Sequence, residues 1–155
     1  MKKLFCFTLL ASLLAASSLS AKTLDEVFNE AASFLQRGDY DQAISKYKEA
    51  IQMEPKSALA YNLLGMAYRF RYALTRDQKY RKEEIAAFEK ALQLDSTYWV
   101  SLINLGATYY YMGEKKKAVP YFKKALELYP EHPERPQFEK MIREADQESK
   151  VPPAK

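Results

Sequence analysis

The chain has one cysteine, Cys6, and one histidine, His132. With that inventory no intramolecular disulfide can form, and because Cys6 lies in the apolar N-terminal stretch expected to be removed, no cysteine is left to join His132 in a nucleophilic dyad or a Cys/His metal site. Carboxylate pairs such as Glu83 with Glu84, or Asp39 with Asp41, lie at helix starts and on exposed faces, where they complement the helix dipole; no catalytic, metal or cofactor residue is assigned. Neither sign of charge dominates: the balance is +4, and Lys2 and Lys3 supply two of those charges. So small an excess does not imply nucleic acid as a partner. Long apolar runs are also missing. The one candidate, Leu4 to Ala16, is shorter than the ~20 residues a membrane-spanning helix needs.

That short stretch follows Lys2-Lys3 and precedes the small residues Ser17 to Ala21. A charged start, an apolar middle and a small-residue end are the layout of a secretory signal peptide over 1–21, cleaved after Ser20 or Ala21. The expectation is an exported, periplasmic protein with no transmembrane span after processing.

Beyond Lys22 the chain repeats itself. Ala43-x3-Tyr47-x2-Ala50, Glu84-x3-Phe88-x2-Ala91 and Ala118-x3-Phe122-x2-Ala125 are three versions of one pattern, and Leu64-Gly65-x2-Tyr68 and Leu105-Gly106-x2-Tyr109 stand ahead of the last two. Ala31 to Gly65 is 34 residues and Gly65 to Gly106 is 41, whereas Tyr47 to Phe88 is 41 and Phe88 to Phe122 is 34. Both series hold only if seven extra residues lie between Tyr68 and Phe88. Seven residues are about two helical turns. Met66 to Leu94 contains neither Gly nor Pro, so the spacing predicts one extra turn on each of two helices, a corner at Thr75-Arg76-Asp77 capped by Thr75 or Asp77, and Leu74 packed with Tyr80 across the tip.

These blocks resemble the tetratricopeptide repeat, a helix-turn-helix unit of about 34 residues. The resemblance implies an all-α fold: a right-handed superhelix of three repeats plus a C-terminal capping helix. The repeats fall at about 24–57, 58–98 with the insertion, and 99–132, within a domain over 22–150. The cap, 134–149, carries Phe138, Met141, Ile142 and Ala145 on one face, and 151–155 is a tail. Predicted helices run near Leu24–Gln36, Tyr40–Met53, Ala58–Leu74, Gln78–Leu94, Thr97–Tyr111 and Lys115–Leu128. Pro120 is read as lying in the first turn of its helix, and His132 as a solvated loop residue. Glu84, where the other repeats have Ala43 and Ala118, leaves the packing beside the insertion open.

Proteins of this family bind partners on the first helices of their repeats. Transferred here, the groove positions include Asn62, Met66, Arg69, Phe70, Ile103, Tyr110 and Tyr111, an apolar and aromatic set that suits a protein or peptide. One branch of the family clamps a terminal carboxylate with Lys, Asn and Arg side chains. The matching positions here are Phe28, Ala32, Leu63, Val100 and Asn104, so that clamp is missing. A secondary basic surface, Arg71, Arg76 and Lys79, interleaves with aromatics on the insertion. The functional expectation is a noncatalytic adaptor or scaffold. A hydrophobic small molecule or lipid, held for an envelope transport system, is the alternative, and self-association through end repeats a third mode.

Overall fold

The computed structural model describes residues 22–148. The signal-peptide and tail readings lie outside the described residues. Seven helices follow one another: α1 (Leu24–Gln36), α2 (Tyr40–Met53), α3 (Ala58–Thr75), α4 (Gln78–Leu94), α5 (Trp99–Tyr111), α6 (Lys115–Leu128) and α7 (Arg135–Glu148). Each packs mainly on its neighbours in sequence, α1 on α2, α2 on α3 and so on to α7, so the architecture is a solenoid of three helical hairpins and a cap.

Local chemistry sets the ends. Thr23 and Glu26 close a capping box, with Thr23 Oγ1 accepting from the Glu26 N–H at 3.3 Å and Glu26 Oε2 accepting from the Thr23 N–H at 2.7 Å. Ser57 caps α3 and Asp77 caps α4, the Asp77 carboxylate taking the Lys79 N–H at 2.9 Å. Gly38 and Gly113 leave α1 and α5 at φ of 80° and 81°, a conformation that costs glycine nothing. Arg76 makes the same turn after α3 at φ 56° with a side chain present.

The insertion forms helix, as the spacing predicts. α3 has 18 residues against 13 in α1 and α5, and α4 has 17 against 14 in α2 and α6. Leu74 departs from the expectation: it is 65% exposed, while Tyr80 turns inward onto Tyr68 with ring centroids 6.3 Å apart. α5 starts at Trp99 rather than Thr97, because Thr97 donates both its N–H (2.9 Å) and its hydroxyl (2.7 Å) to Asp95 in the preceding turn. Pro120 sits in the second turn of α6, not the first, so it supplies no N–H to the carbonyl four residues back; its exposed position lets water serve that carbonyl.

The recurrent Gly and aromatic are two halves of one contact. A Cβ on Gly65 would lie 2.6 Å from the Phe88 ring, and one on Gly106 would lie 2.8 Å from the Phe122 ring. The missing side chain lets each first helix approach its second closely enough to bury a whole ring; Phe88 and Phe122 are 0% exposed. Burial of such a ring is worth about 1.5–3 kcal/mol. Apolar packing gathers into two clusters. One joins α1 to α4 through Ala31, Ile44, Tyr47, Leu64 and Tyr68; the other joins α5 to α7 through Ala118, Phe122, Leu126, Phe138 and Met141.

Candidate functional site

α3 carries a stripe of Leu59, Leu63, Met66, Phe70 and Leu74, spaced three or four apart and so stacked on one face. It borders the face that buries Ala60, Leu64, Ala67 and Tyr68, and Leu63 packs against that core. Leu59 is 46% and Phe70 40% exposed, and Met66 is half-buried. Phe70 leans on Tyr40 in a stacked pair at 5.7 Å. On α5, Tyr111 is 71% exposed and meets Tyr110 edge-on. Met66, Phe70 and Tyr111 are therefore accessible members of the predicted groove.

Four of the predicted groove residues are not free surface. Asn62 is 2% exposed, and its Oδ1 accepts from Ser101 Oγ at 2.9 Å and from Asn104 Nδ2 at 3.0 Å. Arg69 is committed inside the molecule. It donates Nε to Glu84 (2.8 Å), Nη1 to Asn104 Oδ1 (2.9 Å), and Nη2 to the Asn104 carbonyl (2.8 Å) and Thr108 Oγ1 (3.0 Å), with its guanidinium 5.0 Å from the Phe88 ring centre. Ile103 and Tyr110 pack against the cluster that α7 completes, and the Tyr110 hydroxyl donates to Glu144 of that helix. Glu144 raises the Tyr110 pKa, because the phenol must stay protonated to donate.

Glu84 explains its own oddity. It is 0% exposed, and its carboxylate takes Arg69, Arg81 (2.5 Å) and the Thr108 hydroxyl (2.6 Å). A buried carboxylate persists only when paired and fully hydrogen-bonded, which three donors achieve.

The three cations of the predicted basic surface have different surroundings. Arg71 Nε lies 2.8 Å from Asp41 Oδ1, and the Arg71 guanidinium faces Tyr80 at 5.4 Å. Arg76 and Arg81 lie 5.9 and 3.9 Å from the Tyr72 ring. Gln78, then Arg81, lower the Tyr72 pKa by donating to its oxygen. Lys79 stands exposed. Elsewhere, Tyr109 is pushed up to about 12, first by desolvation and then by Glu89, whose carboxylate its hydroxyl meets at 3.2 Å. His132 is not a solvated loop residue. Its ring is half-buried about 5.3 Å from Trp99 and Tyr129 and 5.2 Å from Phe138, and its Nδ1 accepts the Glu134 N–H at 3.1 Å.

Among the described residues no group of three or more His, Cys, Asp or Glu is placed to hold a metal ion, and no helix is long and apolar enough to cross a membrane.

Comparison with known proteins follows this geometry. Residues 32–69 match a family model described as TPR repeat, and residues 99–132 match one described as Tetratricopeptide repeat. Protein IFIT1 homolog B of Homo sapiens is 27% identical over 129 residues, covering 74% of this chain and 27% of that protein. The chain thus spans about a quarter of the length of the curated relatives it matches first. Among solved structures, the first TPR of Spaghetti (RPAP3) bound to HSP90 peptide SRMEEVD superposes with a TM-score of 0.68 at 19% identity, covering 83% of this chain and 96% of that one. The TPR2B domain of yeast Sti1, in complex with an Hsp70 peptide, gives 0.68 at 18% identity, with 81% and 97% covered.

Proposed function

Because the chain is a tetratricopeptide-repeat protein, we propose that it is an exported, periplasmic, noncatalytic adaptor that seats an apolar polypeptide segment on the first-helix face. The observation that carries this reading is the stripe on α3, with Leu59 and Phe70 exposed and Met66 half-buried between them, together with the exposed Tyr111 on α5. Large apolar side chains held in water on one face gain when a partner covers them.

The same face lacks a free cation, since Arg69 is spent on Glu84, Asn104 and Thr108. The two structural neighbours hold chaperone-derived peptides, one of them the acidic SRMEEVD. An acidic carboxy-terminal peptide finds both arginines of α3 already paired, Arg69 with Glu84 and Arg71 with Asp41, and no cation in α5, and the partner segment is accordingly uncharged. The hydrophobic-ligand reading stays second. The depression beside α7 is lined by Glu114, Lys115, Lys116, Lys117 and Glu148, which suit an apolar molecule poorly. The outer face of α1 shows Asp25, Glu26, Asn29 and Ser33, and that of α7 shows Gln137, Lys140 and Arg143, so end-to-end stacking of copies has polar surfaces to desolvate.

The test places a photo-crosslinking amino acid at Phe70, at Lys79 or at Lys123 in the native host. Crosslinks at 70 to an uncharged, apolar segment of one envelope protein are expected, with none at 123. Crosslinks confined to 79 would move the site to the insertion. Titration with SRMEEVD is expected to show no binding, and saturation at micromolar peptide would overturn the charge argument. The purified protein should begin at Ala21 or Lys22; an intact N-terminus in membranes would overturn export with cleavage.

A further inference from the structure

The described residues include four that are both buried and polar: Asn62, Glu84, Ser101 and Thr108. All four lie where repeat two meets repeat three, and Arg69 and Asn104 tie them into one network. Ser101 and Asn104 on α5 converge on Asn62 of α3, Arg69 of α3 reaches Asn104 and Thr108 of α5, and Thr108 closes on Glu84 of α4. On either side lie the two apolar clusters, α1 to α4 and α5 to α7. Phe88, Ala91, Leu102 and Leu105 are buried as well, so the joint is not short of apolar cover.

Apolar contact is non-directional and tolerates sliding, whereas hydrogen bonds demand distances and angles. Buried ionic groups contribute little net stability against an apolar replacement of equal volume, and their best-attested use is to select one register among several. At the matching positions repeat one has Leu35 for Arg69 and Ala43 for Glu84, so an apolar version of this joint exists in the same chain.

We infer that this network is a polar latch: it fixes the angle between two apolar halves of the superhelix, with Arg69 as its pin, rather than adding to their stability. Arg69 alone bonds α4 and α5 from α3, and its side chain is 29% exposed, so water can reach the pin and replace its bonds when the halves turn. The first helices divide between the halves, α1 and α3 in one and α5 in the other. The angle therefore sets how Phe70 and Tyr111 face one another, whatever occupies the space between them.

The experiment uses the full chain with Cys6→Ser and spin labels at Asn29→Cys on α1 and Lys140→Cys on α7, both exposed positions. In the triple variant Arg69→Leu, Arg81→Leu and Glu84→Ala, which leaves neither a buried carboxylate nor an arginine robbed of it, the label-to-label distance distribution is expected to broaden or split while the Tm stays at or above that of the parent. A control, Arg71→Leu with Asp41→Ala, removes the ion pair between repeats one and two and should leave the distribution unchanged. A distribution as narrow as the parent's in the latch variant overturns the inference. So does loss of helical circular dichroism or a fall in Tm in that variant, since the network would then be a stability element; equal broadening in the control would show general loosening and overturn it too.

Discussion

Two junctions in this molecule join one helical hairpin to the next with the same backbone plan and opposite chemistry. Between repeats one and two, Ala43, Ile44 and Tyr47 of α2 meet Leu64, Ala67 and Tyr68 of α3 in an unbroken apolar cluster, with a single ion pair, Arg71 to Asp41, at the surface. Between repeats two and three, a fully buried carboxylate, two arginines and four hydroxyl or amide side chains share the joint. The first junction shows what the repeat needs in order to stack: alanines, branched aliphatics and two tyrosine rings, with no charged side chain in the cluster. The second therefore carries something beyond stacking, since the apolar solution was available in the same chain.

The largest test of that contrast removes one partner at each junction. Arg69→Leu alone leaves Glu84 buried with Arg81 and Thr108 but short of its third donor, and should lower stability by about 3 kcal/mol. Arg71→Leu leaves Asp41, whose side chain is 64% exposed, free to meet water; the loss should stay below ~1 kcal/mol. Urea unfolding of both variants measures the difference, and equal losses would erase the distinction between the junctions.

Next in size is the helix-to-helix contact that both repeats share. Gly65→Ala pushes a methyl to 2.6 Å from the Phe88 ring and Gly106→Ala to 2.8 Å from the Phe122 ring. Overpacking of this kind costs roughly 1–3 kcal/mol. Both rings are packed by a further group, Phe88 by the Arg69 guanidinium and Phe122 by the stacked Phe138 ring, so the closer approach at 65 decides the order, and Gly65→Ala should cost more than Gly106→Ala. Thermal melts of the pair check the order.

The recurrence behind that contact was legible from sequence, and the latch was not. The aromatic and the glycine recur at fixed intervals, so the approximate helix bounds and the two extra turns follow from counting, while the meeting of glycine and ring is seen only in the structure. Arg69, Glu84, Asn104 and Thr108 occur once each and stand 15 to 39 residues apart in their mutual bonds, so no period announces them. The one available signal was Glu84 in a slot that holds alanine elsewhere, beside an arginine on the preceding helix. That Ile103 and Tyr110 are partly covered was hidden for a related reason. Groove positions carried over from a family do not show that the chain's own α7 packs against them.

The turn entering repeat three gives a smaller effect with a pH signature. Asp95 accepts two bonds from Thr97, first through the hydroxyl and then through the backbone N–H, and these hold its carboxyl below the ordinary carboxylate pKa. A depressed folded pKa means stability that is complete above the unfolded value of about 4 and is lost as the pH falls through the folded one. Asp95→Ala should therefore cost about 1 kcal/mol at neutral pH and progressively less below pH ~4. A gap between parent and variant that does not close in acid would exclude Asp95 as the source.

The smallest expected change is a gain, and it asks whether the second junction can be given the turn of the others. The turns after α2 and α6 carry Pro55 and Pro130, while the turn after α4 has Ser96. The residues before these positions share one backbone: Glu54 at φ −133° and ψ 83°, Tyr129 at −133° and 78°, Asp95 at −139° and 98°. That extended conformation is the one a following proline requires. Asp95 can keep its bonds to Thr97, because both donors lie beyond residue 96. A proline that fits the native backbone restricts the unfolded chain and leaves the folded one unchanged. Ser96→Pro should therefore stabilise by about 0.4–1 kcal/mol, read as a higher urea midpoint with an unchanged slope. A loss instead would mean that the second junction needs its turn to differ, and that the special chemistry of this joint extends from the buried network into the loop above it.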